Sequence, residues 1–128
     1  MRLSVLVVDD EPLAREGLKI LLDADHNVGT VVEARNGYDA IQKATQDQPD
    51  LILMDLWMPV IDGVEATRQL KADRRTSHVP VLAVSAQTYA PDSSTALAAG
   101  ADAFLVKPCD PDRLLDHIRS AFGRLRST

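Results

Sequence analysis

The sequence predicts an α/β protein with a doubly wound, five-stranded parallel sheet. Two observations carry that expectation. Five short apolar runs, too brief for ordinary helices, alternate with segments whose apolar residues recur at helical spacing. The first of them, Leu3–Val8, is mostly apolar and rich in valine, which suits a strand buried on both faces, and such strands alternating with helices imply a parallel sheet covered on both sides. Such crossovers are right-handed almost without exception.

The elements follow in order. Leu3–Val8 reads as the first strand. Pro12 sits at a natural first helical position, and Ala14, Leu18, Leu21 and Leu22 continue an apolar stripe to about Asp23. Residues 28–34 form the second strand. Asn36 and Gly37 open a helix whose Ala40, Ile41 and Ala44 share a face. Pro49 and Asp50 break the chain before the strand 51–54, which ends at Asp55. Asp62-Gly63 is a turn, and residues 64–72 form the third helix. Lys71, Arg74 and Arg75 follow as cations suited to a helix C-terminus. Pro80 precedes the strand 81–84, which ends at Ser85. Pro91 starts an alanine-rich helix that stops at Gly100. Residues 103–106 form the fifth strand, ending at Lys107-Pro108. The last helix starts near Asp110-Pro111 and places Leu114, Leu115, Ile118, Phe122 and Leu125 at helical spacing. There are no repeats, low-complexity tracts or internal linkers, so residues 1–128 read as a single domain.

Composition removes several function classes. The chain has 128 residues, of which 45% are hydrophobic and 26% charged, a balance foreign to collagens and disordered tails. No apolar run approaches the roughly 18 residues of a membrane span. The start, MRLSVLVVDDEP, meets acid too early for a signal peptide. A lone cysteine, Cys109, cannot form an internal disulfide, which fits a reducing cytoplasm. The net charge is −5, and it is uneven: residues 1–64 hold 12 acids against 5 bases, net −7, and residues 65–128 hold 7 against 9, net +2. An acidic chain is a poor partner for the phosphate backbone of nucleic acid.

In parallel α/β sheets ligands bind beyond the carboxyl ends of the strands. Strand one delivers Asp9 and Asp10 there, with Glu11 next. Strand three delivers Asp55, strand four Ser85 and strand five Lys107. Strand two delivers Glu33 and Ala34, nothing distinctive. Three carboxylates, a hydroxyl and an ammonium therefore converge. Two carboxylates about 4 Å apart repel by roughly 4 kcal/mol at a dielectric of about 20. Such a cluster either takes up a proton or holds a cation, and hard oxygen donors without imidazole or thiolate favour Mg²⁺ or a similar ion over zinc. A metal facing a hydroxyl and an ammonium makes a cradle for a phosphoryl group, and an aspartate there is a candidate nucleophile.

Over essentially its whole length the chain resembles the receiver domains of bacterial two-component response regulators. The resemblance is carried by Val7-Val8-Asp9-Asp10-Glu11, by Leu53-Met54-Asp55-Leu56-Trp57-Met58-Pro59 and by Asp62-Gly63. It continues in Val84-Ser85-Ala86, Gly100-Ala101-Asp102 and Lys107-Pro108. It implies the flavodoxin-like three-layer sandwich with strand order 2-1-3-4-5. It also implies a signalling switch, not an enzyme. Asp55 would accept a phosphoryl group from a histidine kinase or phosphotransfer protein. Asp10 would bind Mg²⁺ directly and Asp9 mainly through water, with Asp55 and the Trp57 backbone carbonyl as further metal ligands. Ser85 and Lys107 would contact the phosphoryl oxygens, and Phe104 would be the aromatic switch. The Lys107-Pro108 bond would be cis. Kinase pairing would be set around Leu13, Arg15 and Glu16. Signal output would pass to a downstream protein partner or output domain, in the cytoplasm, without direct nucleic acid or membrane binding.

Some positions depart from the family pattern. Trp57 stands where a smaller or polar residue is common, and its indole is expected to shield the acyl phosphate from water, with Gln87 flanking the same approach. Ala103 replaces an aspartate that receivers of winged-helix transcription factors use in dimer contacts, which argues against that dimer. His26, His78 and His117 read as solvated, and Cys109 as a small filler. A haloacid dehalogenase-type phosphatase would want a second Asp at position 57. A flavodoxin-like electron carrier would want a hydroxyl- and glycine-rich loop where Asp9-Asp10-Glu11-Pro12 stands. With no DNA-binding motif or linker, a stand-alone receiver is favoured over the receiver piece of a longer regulator.

Overall fold

The computed structural model describes residues 2–56, 58, 61–85, 93–106 and 111–126. The side chains of Ser93 and of residues 122–126, Phe122 and Leu125 among them, lie outside the description. Strands β1 (Leu3–Val8), β2 (Val28–Ala34), β3 (Leu51–Asp55), β4 (Val81–Ser85) and β5 (Ala103–Val106) alternate with helices. The helices are α1 (Pro12–Asp23), α2 (Gly37–Asp47), α3 (Gly63–Ala72), α4 (Ser93–Ala98) and α5 (Pro111–Arg126). All pairings are parallel, in the order β2-β1-β3-β4-β5. The fold class and strand order are those expected. Helix α3 starts one residue early, at Gly63, and the expected helix start at Pro91 lies outside the described residues.

The period-two alternation of strand side chains splits the core into two layers. On one face Leu3, Val5, Val7, Leu51, Leu53 and Leu82 pack under Leu22 of α1 and Leu114 and Ile118 of α5. On the other, Leu6, Val8, Ile52, Met54 and Ala83 pack under Ala40 and Ala44 of α2, Val64 and Leu70 of α3 and Ala96 of α4. The local signals act as written. Pro12 occupies the first turn of α1. The Asn36 side chain accepts from the Asp39 amide at 2.8 Å, and Asp62 accepts from the Glu65 amide at 2.9 Å, capping α2 and α3.

At the amino ends of the strands, carboxylates hold backbone amides. Asp50 accepts from the Ser4 amide at 2.8 Å, tying the entry of β3 to β1. Asp102 accepts from the Val81 amide at 2.8 Å, tying the entry of β5 to β4. Lys71 stands in the last turn of α3, as expected, and its ammonium also reaches beyond its own helix. Its Nζ donates to the Val79 carbonyl at 2.7 Å and meets Asp102 at 3.1 Å, and its stem packs where a Cβ on Gly100 would fall, 2.7 Å from its Cγ. Arg75 pairs at 2.8 Å with the side chain of Asp73, the residue that caps the C-terminus of α3.

Asp25, with a side chain only 6% exposed, joins the α1–β2 turn to Arg119 of α5 at 3.3 Å. The Asn27 amide, and then Arg119, hold its carboxyl below the ordinary aspartate value of 3.8 against the opposing effect of burial. A carboxylate with a depressed folded-state pKa contributes stability above its unfolded value and loses it as the pH falls toward the folded one. The wild type is therefore expected to lose part of its stability below pH 3.8, and Asp25→Asn to lack that component of the acid loss. Urea midpoints at neutral pH and near pH 3 check this. Equal acid losses in the two proteins would refute it.

Candidate metal and phosphoryl site

The strand order changes direction between β1 and β3, since β2 lies outside β1 on one side and β4 continues from β3 on the other. A crevice opens beyond the carboxyl ends at such a switch point. Asp9 directly follows β1 and Asp55 closes β3, and the two strands run in register with Val8 opposite Met54. Both carboxylates are buried, at 2% and 7% exposure, whereas Asp10 is exposed. One ligand oxygen from each of Asp9, Asp10 and Asp55 lies within 4.8 Å of the others. Asp9 Oδ1 accepts from the Glu11 amide at 2.9 Å, which orients the carboxylate.

Three carboxylates this close repel unless a cation joins them. The cluster holds no imidazole or thiolate. Its donor set fits Mg²⁺, an ion that takes a few carboxylate oxygens and keeps the rest of its shell for water or phosphate. Ser85, fully buried, closes β4 beside Asp55's strand, and β4 pairs Ala83 with Phe104 and Ser85 with Val106. Residues paired in register, and those two apart on one strand, share a face. Ser85 and Phe104 therefore project to the same side of the sheet, where Phe104 packs partly buried against the α2–α4 core. Trp57, Gln87, Lys107, Pro108 and Cys109 lie outside the described residues. His26 and His78 are exposed and His117 is half-buried.

Three contacts escaped the sequence reading. Glu33 is not featureless: it meets Arg15 Nε at 3.4 Å, and Arg15 Nη1 donates to the Asp9 carbonyl at 2.7 Å. Arg15 is thus turned inward, while Leu13 and Glu16 on the same helix stay exposed. Gly63 packs against the backbone that carries Asp55, its amide donating to Leu56 O at 3.2 Å. The glycine after the capping Asp62 was the one local hint of that approach.

Comparison with known proteins agrees with this geometry. The family model described as the response regulator receiver domain matches residues 5–119. The chain is 37% identical to the protein PilH of Pseudomonas aeruginosa over 93% of its own length and 97% of PilH. It is 36% identical to the nitrate/nitrite response regulator protein homolog of Haemophilus influenzae over 92% of its length, but spans only 56% of that relative. Among solved structures, it superposes with a TM-score of 0.89 and 31% identity on the signal receiver domain of a Syntrophus aciditrophicus histidine kinase, covering 98% of this chain and 94% of that one. The receiver domain of the Pseudomonas aeruginosa sensor kinase PA1611, solved with a magnesium ion coordinated in its active site cleft, matches at a TM-score of 0.85 and 29% identity over 96% of this chain and 99% of that one. By fold, motif order and sequence alike, this chain belongs to the response regulator receiver domain family of two-component systems.

Proposed function

We propose that this chain is a phosphoacceptor switch, in which Asp55 takes a phosphoryl group from the phosphohistidine of a histidine kinase or phosphotransfer protein. The observation that carries the reading is the meeting of Asp9, Asp10 and Asp55 within 4.8 Å at the switch point of the sheet. Asp9, Asp10 and Asp55, with the Trp57 carbonyl, would hold Mg²⁺, which when bound supplies positive charge against the phosphoryl oxygens. An Asp55 carboxylate oxygen bonds to phosphorus as the P–N bond to the donor imidazole breaks, and its electron pair stays on the imidazole nitrogen. The product is an acyl phosphate on Asp55.

The Ser85 hydroxyl and the Lys107 ammonium then hold the phosphoryl oxygens. Ser85 drawn toward the phosphate leaves space on the face it shares with Phe104, and the ring turns in. That shifts the population of the surface made by α4, β5 and α5. Leu97 and Val106, each about half exposed, supply apolar area on that surface for a protein partner or output domain. The role is that of a switch, not of a turnover catalyst. Among the described residues no helix is long and apolar enough to cross a membrane. A cytoplasmic site of action follows from the proposed donor.

Incubation with Mg²⁺ and acetyl phosphate, followed by intact mass, tests the proposal. The wild type is expected to gain one phosphoryl group and Asp55→Asn none. A wild type that gains nothing under saturating Mg²⁺ overturns it. The decay of the gained mass after removal of the donor tests Trp57 as a shield. Trp57→Asn is expected to lose the phosphoryl group faster, and an unchanged rate would dismiss the shield.

A further inference from the structure

We infer that Arg15 is a positioning residue for the acidic pair, with Glu33 as its anchor; this rests on the metal-binding reading above. Arg15 lies in the first turn of α1 with a side chain only 17% exposed. Its Nη1 donates to the Asp9 carbonyl at 2.7 Å, a short charge-assisted bond. Its Nε meets Glu33 Oε1 at 3.4 Å, near the carboxyl end of β2, where Glu33 pairs with Val7. One side chain thus ties α1, β2 and the turn after β1 together.

The carbonyl it holds belongs to the peptide that joins Asp9 to Asp10. That peptide is planar, so fixing its oxygen fixes the plane from which Asp10 departs. Asp9 is secured independently: its amide donates to the Ala34 carbonyl at 3.1 Å and its carboxylate accepts from Glu11. Asp10 is exposed to water, so its direction is inherited from the backbone that Arg15 holds. Groups that orient metal ligands in this way raise affinity without touching the ion.

Charge and geometry make opposite demands here, which makes the inference decidable. A guanidinium beside a cation site repels the incoming cation, so loss of Arg15 for its charge alone would tighten Mg²⁺ binding. Glu33 offsets that charge. Loss of the brace would instead loosen binding. Calorimetric Mg²⁺ titration of the wild type, Arg15→Met and Arg15→Lys, with Asp10→Asn as the ligand-deleted control and urea unfolding alongside, separates the two.

Arg15→Met is expected to bind Mg²⁺ about 10-fold more weakly. The Mg²⁺ concentration for half-maximal phosphoryl uptake from acetyl phosphate rises equally, while the rate at saturating Mg²⁺ is kept. Binding as tight as the wild type, or tighter, overturns the inference. Should Arg15→Met fail to fold, Arg15→Lys decides, since it keeps the charge but not the two-pronged guanidinium that spans the Asp9 carbonyl and Glu33: weaker binding supports the brace and unchanged binding overturns it. A wild type that takes up no Mg²⁺ overturns the metal reading as well, whereas a normal wild type with an indifferent Arg15→Met overturns the brace alone.

Discussion

Gly63→Ala is expected to lower the unfolding free energy by about 3 kcal/mol, the upper end of what overpacking a rigid site costs. A Cβ at Gly63 would stand 2.2 Å from the Asp55 carbonyl oxygen, 2.7 Å from Leu56 Cα and 2.9 Å from the Asp55 carbonyl carbon. None of these atoms is the end of a flexible side chain. They belong to the carboxyl end of a central strand, where Asp55 pairs with Val84 and the Leu56 amide donates to the Val84 carbonyl at 3.0 Å. The strand cannot yield, so the start of α3 must retreat, and Val64, Ala66 and Leu70 leave their places in the core. Gly17→Ala is the matching contrast. Nothing lies within 4 Å of a Cβ there, and the residue is exposed within α1. Alanine in an open helical position stabilises by up to about 1 kcal/mol. Urea unfolding of the two variants should give shifts of opposite sign. Equal stability of Gly63→Ala and the wild type would show that α3 tolerates displacement.

The second large effect concerns the acidic cluster. Mg²⁺ at about one hundred times its dissociation constant should stabilise the wild type by about 2.7 kcal/mol, through binding to the folded state alone. Asp10→Asn should abolish that response. It should also make the metal-free protein more stable than the metal-free wild type, by roughly 1 kcal/mol. Coulomb's law at a dielectric of about 20 gives roughly 3–4 kcal/mol for a carboxylate pair at this spacing, but the exposure of Asp10 to water reduces the gain. Because Asp10 is exposed, its replacement leaves no hole in the core. The advantage in chelator should shrink as salt rises. A metal-free Asp10→Asn less stable than the wild type would mean that the three carboxylates are not in net conflict.

Much of this was legible because the deciding forces are local. The bounds of β1 and β2 follow from short, valine-rich runs that end at acid or at a turn. Asn36 and Asp62 cap the helices that their side-chain chemistry announces. The helix expected to stop at Gly100 ends at Ala98, and Gly100 takes the left-handed conformation with φ of 111°. The convergence of Asp9, Asp10 and Asp55 was legible at one remove, since parallel pairing sends every strand end to the same edge.

What stayed hidden depends on residues far apart in the chain. Glu33 reads as nothing distinctive and Arg15 as part of a kinase-pairing surface, and only the adjacency of α1 to β2 makes them partners. Lys71 reads as a cation at a helix end. It stands there, but its ammonium also holds the Val79 carbonyl and Asp102, on the next strand connections. The approach of Gly63 to Asp55 depends on how α3 docks, which no window of sequence states.

The carboxylates at the two ends of the sheet have different employers. Asp50 and Asp102 grip strand amides at one end, and Asp9 and Asp55 stand at the other, separated by the length of a five-residue strand, about 16 Å. Over that distance charges in physiological salt scarcely sense one another. A lineage can therefore retune how firmly the scaffold holds without disturbing the message it carries, and can remodel the message on an unchanged scaffold. Evolvability in this fold is a matter of spacing along the strands.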